Sequence, residues 1–276
     1  MRFIYLIPII LLVACSEDNG TIKVKGSDTE VNLAVLMAEQ FHFENPGILV
    51  SISGGGSGLG IASLLNGNAD IANSSRSLKN SEIELFKSRG IAIDSLAFAQ
   101  DAIAFIVSDK MPIDSINTEN VSRIFSGEFK NWSAITEWNK SITIYGRQNN
   151  SGTYDYVKQS LKINFADQAM QMNGNAQIIE ALKVDDSGIG YVSAGYVLKG
   201  NAKGLKVLTV YHDKSKAISP MDEKAIASGE YLFQRPLFQY YRKVDYPKIK
   251  PFLDFEQSDS GAKIIEKSGY YPIMKK

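Results

Sequence analysis

The segment Thr21-Ile22-Lys23-Val24-Lys25-Gly26-Ser27-Asp28-Thr29 opens the pattern that decides the fold. Residues 21–25 alternate apolar and polar side chains, which is typical of a strand, and residues 31–41 then place apolar side chains at helical spacing. A glycine and three short polar residues lie between the two. The segment therefore predicts a strand, a polar loop and a helix in succession.

The same unit recurs in the next fifty residues. A strand is predicted over 48–53, followed by a glycine-rich turn, a helix through 61–65 and a strand over 70–72. Repeated strand, loop and helix units are the pattern of an open α/β sheet. In such sheets ligands bind beyond the carboxyl ends of the strands, where the loops lead into helix N-termini.

The middle of the chain begins a second set of elements. Strands are predicted over 102–108, 142–146 and 188–192, and helices over 118–126, 152–161 and 176–183. A long strand over 231–241 returns toward the first set, and a helical stretch over 247–276 is centred on 261–267. We predict two α/β lobes, 21–102 plus 232–276 and 103–231, joined by crossover strands near 101–107 and 232–240.

The N-terminus has the features of an export signal. Residues 3–14 are almost wholly apolar, but the run is shorter than the roughly 20 residues of a membrane-spanning helix. It ends on Leu12-Val13-Ala14-Cys15, which resembles the site where bacterial lipoproteins are cut and acylated. Cys15 is the chain's only cysteine. We predict a signal peptide over 1–14, lipidation at Cys15 and a tether over 15–20; the alternative is an ordinary signal peptide that happens to contain a cysteine.

The composition argues against several classes of function. Lys plus Arg and Asp plus Glu both number 30, so no net charge attracts nucleic acid or an anionic membrane surface. The two histidines lie in unrelated patterns, which disfavours a histidine-based metal site or a Ser-His-Asp triad. We expect a protein that is not an enzyme and needs neither a metal nor a cofactor.

Four separate segments offer hydroxyl groups, backbone N–H groups or a guanidinium after a predicted strand. A helix N-terminus carries about half a positive charge, so such loops favour an anion. The local alternatives are a flexible turn, helix caps and surface arginines. The candidate anion-binding residues are Ser27, Asp28, Thr29, Gly56, Ser57, Ser75, Arg76, Arg147, Ser151, Gly152 and Thr153.

Different roles are expected within this set. Arg147 and Arg76 follow strands in the two halves and would pair with the anion, since a guanidinium can bind two oxygens at once. Ser57, Ser151 and Thr153 would donate hydrogen bonds, and Gly56 and Gly152 would allow close approach. Asp28 is expected to accept a proton from the ligand.

The ordered segments together resemble the phosphate-binding proteins of phosphate ABC transporters. The markers are the 26–29 loop, residues 55–58, residues 70–76, Arg147 with 151–153, Gly188-Ile189-Gly190-Tyr191 and Arg235-Pro236-Leu237. The resemblance covers nearly all of the chain after the signal. It implies a hinged, two-lobed α/β fold of the class II periplasmic-binding-protein type.

The resemblance also implies a function and its partners. It implies a monomeric, lipid-anchored, extracytoplasmic receptor that holds inorganic phosphate between its lobes and delivers it to a membrane permease. Ser57, Arg147 and residues 151–153 match the family's phosphate donors, and Asp28 and Thr29 match its first loop.

One departure bears on specificity. Many family members carry an aspartate where this chain has Ser75, and that aspartate accepts a proton from phosphate. A buried carboxylate discriminates against sulfate, which has no proton to give near neutral pH. The alternatives are therefore a binder of sulfate, molybdate or a phosphonate, or a surface protein of this fold used in adhesion or phosphate signalling.

Overall fold

The computed structural model describes residues 20–198 and 202–273. The predicted signal segment 1–14, the lipidation site Cys15 and residues 16–19 of the tether lie outside these residues. Among the residues described, no helix has both the length and the apolar character to cross a membrane.

The described residues contain twelve strands and ten α-helices, which alternate along most of the chain. The strands are β1 (Thr21–Gly26), β2 (Leu49–Ser53), β3 (Ile71–Ser74), β4 (Ile93–Ser108), β5 (Ser115–Asn117), β6 (Thr143–Arg147), β7 (Met170–Met172), β8 (Gly188–Ser193), β9 (Leu205–Val207), β10 (Thr209–Tyr211), β11 (Gln234–Arg242) and β12 (Tyr271–Pro272). The helices are α1 (Val31–Glu44), α2 (Ser57–Leu65), α3 (Asn80–Ser88), α4 (Thr118–Phe125), α5 (Gly152–Leu161), α6 (Asn175–Lys183), α7 (Ala194–Leu198), α8 (Glu223–Ser228), α9 (Tyr246–Glu256) and α10 (Asp259–Lys267).

The fold has two lobes, as predicted, and the structure shows that they share one ten-stranded sheet. The strand order is β2-β1-β3-β11-β4-β8-β6-β7, and β9 and β12 also pair with β4. In the first lobe β1 lies parallel to β2 and β3, and in the second β6 lies parallel to β7 and β8. The antiparallel strands β4 and β11 connect these two parallel regions.

Strand β4 crosses from one lobe to the other. Its first part, from Ile93 to Ala102, pairs with β11, and its second part, from Ile103 to Val107, pairs with β8. The strand thus contains the crossover predicted near 101–107, but it begins much earlier than the predicted start at residue 102. Strand β11 starts at Gln234, after Phe233 has accepted a hydrogen bond from the Ile103 amide.

The apolar side chains form separate cores on the two sides of the crossover. One core contains Phe105, Trp132 and Tyr191, whereas another contains Phe41, Phe98 and Phe252. A smaller third group around Leu64 and Phe86 lies under α2 and α3. Two cores permit two bodies that can move relative to each other. The exact lobe limits, 21–102 plus 232–276 and 103–231, stay a prediction.

Helix α3 was not predicted, and its burial gives the reason. Only Phe86 is buried among its nine residues, so the sequence has no apolar stripe to reveal it. A capping arrangement supports it instead, because Glu82 accepts a hydrogen bond from the Lys79 amide at 2.8 Å. The Glu82 carboxylate also pairs with Arg76, one of the predicted anion-binding residues.

Candidate anion-binding site

Polar loops from both lobes meet at the crossover. Helices α1, α2 and α5 begin there, each preceded by one of the predicted loops. Five hydroxyl side chains from these loops and from the end of β3 are each at most 3% exposed. We call this set the hydroxyl cluster: Ser27, Thr29, Ser57, Ser75 and Thr153.

The hydroxyl groups are close enough to bind one another. Thr29 Oγ1 lies 2.9 Å from Thr153 Oγ1, which joins the first lobe to the second. Ser75 Oγ lies 3.1 Å from Ser27 Oγ and 3.4 Å from Ser57 Oγ. Segments separated by up to 124 residues in the sequence therefore share one buried polar centre.

Two glycines allow the loops of the two lobes to touch. A Cβ on Gly152 would lie 2.6 Å from Ser75 Oγ and closer still to Ser57 Oγ. Gly56 has a φ of +98°, and a Cβ there would lie 3.0 Å from the carbonyl oxygen of Asn150. Side chains larger than hydrogen would thus separate the N-termini of α2 and α5. Both positions fit the close-approach role predicted for them.

Ser151 has the N-cap role that the sequence also allowed. Its Oγ accepts hydrogen bonds from the amides of Thr153 at 3.2 Å and Tyr154 at 3.5 Å. Because the oxygen is the acceptor in both bonds, the hydroxyl proton can still be donated to another group. Capping and anion binding are therefore compatible at this residue.

Arg147, at the end of β6, contributes a guanidinium that is almost completely buried. Its side chain is 2% exposed, and Nη2 binds Asp28 Oδ2 at 2.7 Å and the Asn173 carbonyl at 2.8 Å. The remaining donors, Nε and Nη1, are buried without a hydrogen-bond partner. Burial lowers the pKa of Arg147, and Asp28 opposes that shift. Two separate donors of a buried cation are thus left to bind acceptors.

Asp28 uses both carboxylate oxygens, and only one of them reaches the other lobe. Oδ2 pairs with Arg147, while Oδ1 accepts a hydrogen bond from the Gly55 amide at 3.0 Å. The side chain does not cap α1. Its predicted role as acceptor of a ligand proton is not tested by these contacts, but the carboxylate already has two donors.

Arg76 differs from what its sequence position suggests. Its guanidinium binds both oxygens of Glu82, at 2.7 and 2.8 Å, and Nε lies 3.0 Å from Asp155 on α5. Asp155 also binds Lys79 at 2.6 Å. Protein carboxylates therefore occupy the guanidinium that was expected to pair with the anion, and the pair with Asp155 joins the lobes.

Arg235 reaches the hydroxyl cluster instead, although it was not among the predicted site residues. Its Nη2 binds Thr153 Oγ1 at 2.9 Å and Thr29 Oγ1 at 3.3 Å, and Nη1 binds the Ser75 carbonyl at 3.0 Å. The available signal was a charged residue within a predicted strand; only the structure shows that Arg235 on β11 lies opposite Asp101 on β4.

Asp101 balances the charge of Arg235. It is fully buried, with Oδ2 3.0 Å from Arg235 Nη2 and Oδ1 2.6 Å from Ser193 Oγ. Burial raises the pKa of Asp101, and Arg235 and Ser193 oppose that shift. Because this pair lies at the crossover, it fixes the Arg235 guanidinium in contact with the hydroxyl cluster.

Comparison with known proteins identifies the family. A model of the PBP superfamily domain matches residues 14–260, and the chain therefore belongs to that superfamily. A Borreliella burgdorferi protein named phosphate-binding protein PstS is 29% identical, with 98% of this chain and 97% of the relative covered. The protein of the same name from Staphylococcus saprophyticus is 28% identical, with 97% and 87% covered.

The fold agrees with that assignment. The structure of a Clostridium perfringens protein solved with bound phosphate superposes with a TM-score of 0.82, covering 92% of this chain and all of the other. Its sequence is 22% identical, so this likeness concerns the fold. The predicted two-lobed periplasmic-binding-protein-like fold is confirmed.

Proposed function

We propose that this protein is an extracytoplasmic receptor that captures inorganic phosphate between its lobes for an ABC importer. The relatives named above are phosphate-binding proteins, and this chain covers 87% and 97% of their lengths, which supports this assignment. The observation that carries the proposal is the buried guanidinium of Arg147, whose Nε and Nη1 have no hydrogen-bond partner and lie near loops rich in hydroxyl groups.

The proposed ligand contacts follow from the geometry of the donors. Phosphate would take a bond from one of the two unpaired Arg147 donors, Nε or Nη1, and replace the hydroxyl-to-hydroxyl bonds within the cluster. Three helix N-termini add N–H groups and partial positive charge. The donor set is Ser27, Thr29, Ser57, Ser75, Arg147, Ser151, Gly152 and Thr153, with Arg235 added, while Gly56 allows the loops to approach and uses its own amide to bind the Gly26 carbonyl.

Arg76 has another role in this proposal. Its bonds to Glu82 and Asp155 make it an ionic link across the mouth of the cleft, while Arg235 supplies the second cation. A cation already paired with two carboxylates has little charge left to attract an anion. Arg147 and Arg235 thus replace the predicted pair Arg147 and Arg76.

Phosphate is preferred over sulfate only if the site offers an acceptor for the ligand's proton. Ser75 Oγ can accept as well as donate, and Asp28 retains further lone pairs beside its two existing donors. Either group would accept the proton of hydrogen phosphate. Sulfate has no such proton, so it would bring an unsatisfied charge into a desolvated site.

We also propose the finer features that the sequence suggested. Cys15 would carry a lipid after removal of residues 1–14, and the receptor would act as a monomer beside its permease. The protein would have no catalytic function, because the site combines hydrogen-bond donors with no paired nucleophile and general base.

A thermal-shift panel of oxyanions tests the assignment. A ligand that binds only the folded state stabilises it by about 2.7 kcal/mol at a hundred times its dissociation constant. We expect phosphate to raise the melting temperature of the purified protein at lower concentration than sulfate, molybdate or methylphosphonate. A panel in which no oxyanion changes the melting temperature would overturn the proposal.

A further inference from the structure

The glycine-rich turn after β2 contacts the other lobe through Asn150. This asparagine directly precedes Ser151, and it was not among the predicted site residues. Asn150 Nδ2 donates a hydrogen bond to the Gly55 carbonyl at 3.0 Å, and the Asn150 carbonyl accepts one from the Gly58 amide at 3.0 Å. We call these two hydrogen bonds the Asn150 contact. It joins the lobes through segments that lie 95 residues apart in the sequence.

One bond of the Asn150 contact satisfies the N-terminus of a helix. Gly58 is the second residue of α2, and the N-cap residue, Gly56, has no side chain that could accept a hydrogen bond. The first N–H groups of a helix have no partner within that helix. The Asn150 carbonyl therefore supplies, from the other lobe, an acceptor that α2 cannot provide for itself.

The glycines of the turn make this approach possible. A Cβ on Gly56 would lie 3.0 Å from the Asn150 carbonyl oxygen, and a Cβ on Gly58 would lie 3.3 Å from it. Gly55 and Gly56 also have φ values of +115° and +98°, which residues with a side chain rarely adopt. The turn is therefore rich in glycine because it must receive Asn150, and not only because an anion must approach it.

The Asn150 contact lies between the hydroxyl cluster and solvent, far from the crossover. Strand β2 is an edge strand of the sheet, and β1, β3 and β11 separate it from β4. Gly55 is exposed, whereas the adjacent Gly56 and Ser57 are buried. Lobes that rotate about their connecting strands separate most at the edge farthest from those strands. The contact is thus placed where it is sensitive to closure of the cleft.

We propose that Asn150 is a positioning residue, which holds the loop of Ser57 against the loop of Ser151 when the cleft closes on phosphate. The inference rests on the proposed function, because it takes both serines as phosphate donors. Asn150 lies one position before Ser151, and its two partners lie on either side of Gly56 and Ser57 in the sequence. The contact therefore sets the distance between donors of the two lobes.

Calorimetry with inorganic phosphate on single variants tests this role. Asn150→Ala removes the side-chain hydrogen bond, and Asn150→Leu removes the same donor but keeps the size of the side chain. Asn149→Ala is the matched control, since Asn149 is the exposed neighbour in the same loop. The backbone tolerates all three changes, because only Lys162 and Asp213, among the described residues other than glycine, have a positive φ.

We expect Asn150→Ala and Asn150→Leu to bind phosphate about three- to ten-fold more weakly than the wild type, the effect of one lost hydrogen bond. Asn149→Ala should bind like the wild type, and the urea midpoints of the ligand-free variants should not change. Wild-type affinity in Asn150→Ala would overturn the inference. So would a loss in Asn150→Ala that Asn150→Leu or Asn149→Ala does not distinguish as a lost donor at residue 150.

Amide hydrogen exchange separates this inference from the proposed function. In the wild type, phosphate should slow exchange at the Gly58 amide, and the slowing should be smaller in Asn150→Ala. A wild type that binds phosphate without slower exchange at Gly58 would overturn the role of Asn150 and leave the proposed function standing. A wild type that binds no oxyanion would overturn the proposed function, and the positioning role would fall with it.

Discussion

Arg76 and Arg147 occupy matching places in the two lobes, yet their contacts differ. Arg147 is the last residue of the buried strand β6, Arg76 lies two residues after the buried strand β3, and each leads toward a helix. Arg76 is held by Glu82 and Asp155, whereas Arg147 keeps Nε and Nη1 unpaired. The same local pattern can therefore produce a cation held by carboxylates or one that keeps two donors unpaired.

The difference arises from where the acids lie. Glu82 is on the first turn of α3 and Asp155 is on the first turn of α5, so both can reach Arg76. Arg147 meets one acid, Asp28, which binds only Nη2. Distant packing decides how many donors each guanidinium has left.

Removing Arg147 should have the largest effect on phosphate affinity. Arg147→Ala takes away a buried charged donor, and we expect a loss of about 3–4 kcal/mol, or several hundred-fold. Isothermal titration calorimetry provides the measurement. Arg147→Lys keeps the charge without the fork and should bind at an intermediate level. An alanine variant with affinity within three-fold of the wild type would contradict the site.

Filling the space between the lobes with a methyl group should have the next largest effect on phosphate affinity. In Gly152→Ala the new Cβ would overlap Ser57 Oγ and Ser75 Oγ, and overpacking costs about 1–3 kcal/mol. We expect phosphate affinity to fall by about ten- to a hundred-fold. Gly47→Ala is the control, since a Cβ there meets nothing within 4 Å. Equal affinities for the two variants would show that the lobes need not approach at Gly152.

Asp28→Asn removes the negative charge of the one acid bound to Arg147, and so tests how far Arg147 depends on that acid. Losing that ion pair should reduce phosphate affinity by about ten-fold, because Arg147 would be held less firmly. Competition between phosphate and sulfate separates two roles. Equal weakening of both anions indicates that Asp28 positions Arg147, whereas a selective loss of phosphate indicates that it accepts the ligand's proton.

Arg76→Gln should have the smallest effect on binding. We expect less than a ten-fold change in affinity but a loss of about 1–2 kcal/mol in unfolding free energy, because Glu82 and Asp155 lose a partly buried partner. Urea unfolding and calorimetry on the same sample measure the two effects. An affinity loss as large as that of Arg147→Ala would restore Arg76 as a ligand donor.

Much of the fold was predictable because its signals are local. Alternating and helical apolar spacing predicted β1, α1, α5 and β8 to within a few residues, and glycines marked the loops between them. Helix α3 escaped because it buries only one side chain. The early start of β4 was not predicted, because residues 93–97 are largely not buried and do not alternate regularly between apolar and polar side chains.

The loops of the candidate site were predictable from the sequence, but the ion pairs of its arginines were not. Hydroxyl groups and glycines before a helix already indicate an anion site, since the helix N-terminus needs acceptors wherever it folds. The sequence could not show whether Arg76 or Arg235 is the better candidate for the anion site, because the acids that pair with them lie on α3, α5 and β4. Side-chain type and spacing thus determined the class of site, whereas three-dimensional packing alone decided which cations keep free donors, because ion pairing depends on distance in space.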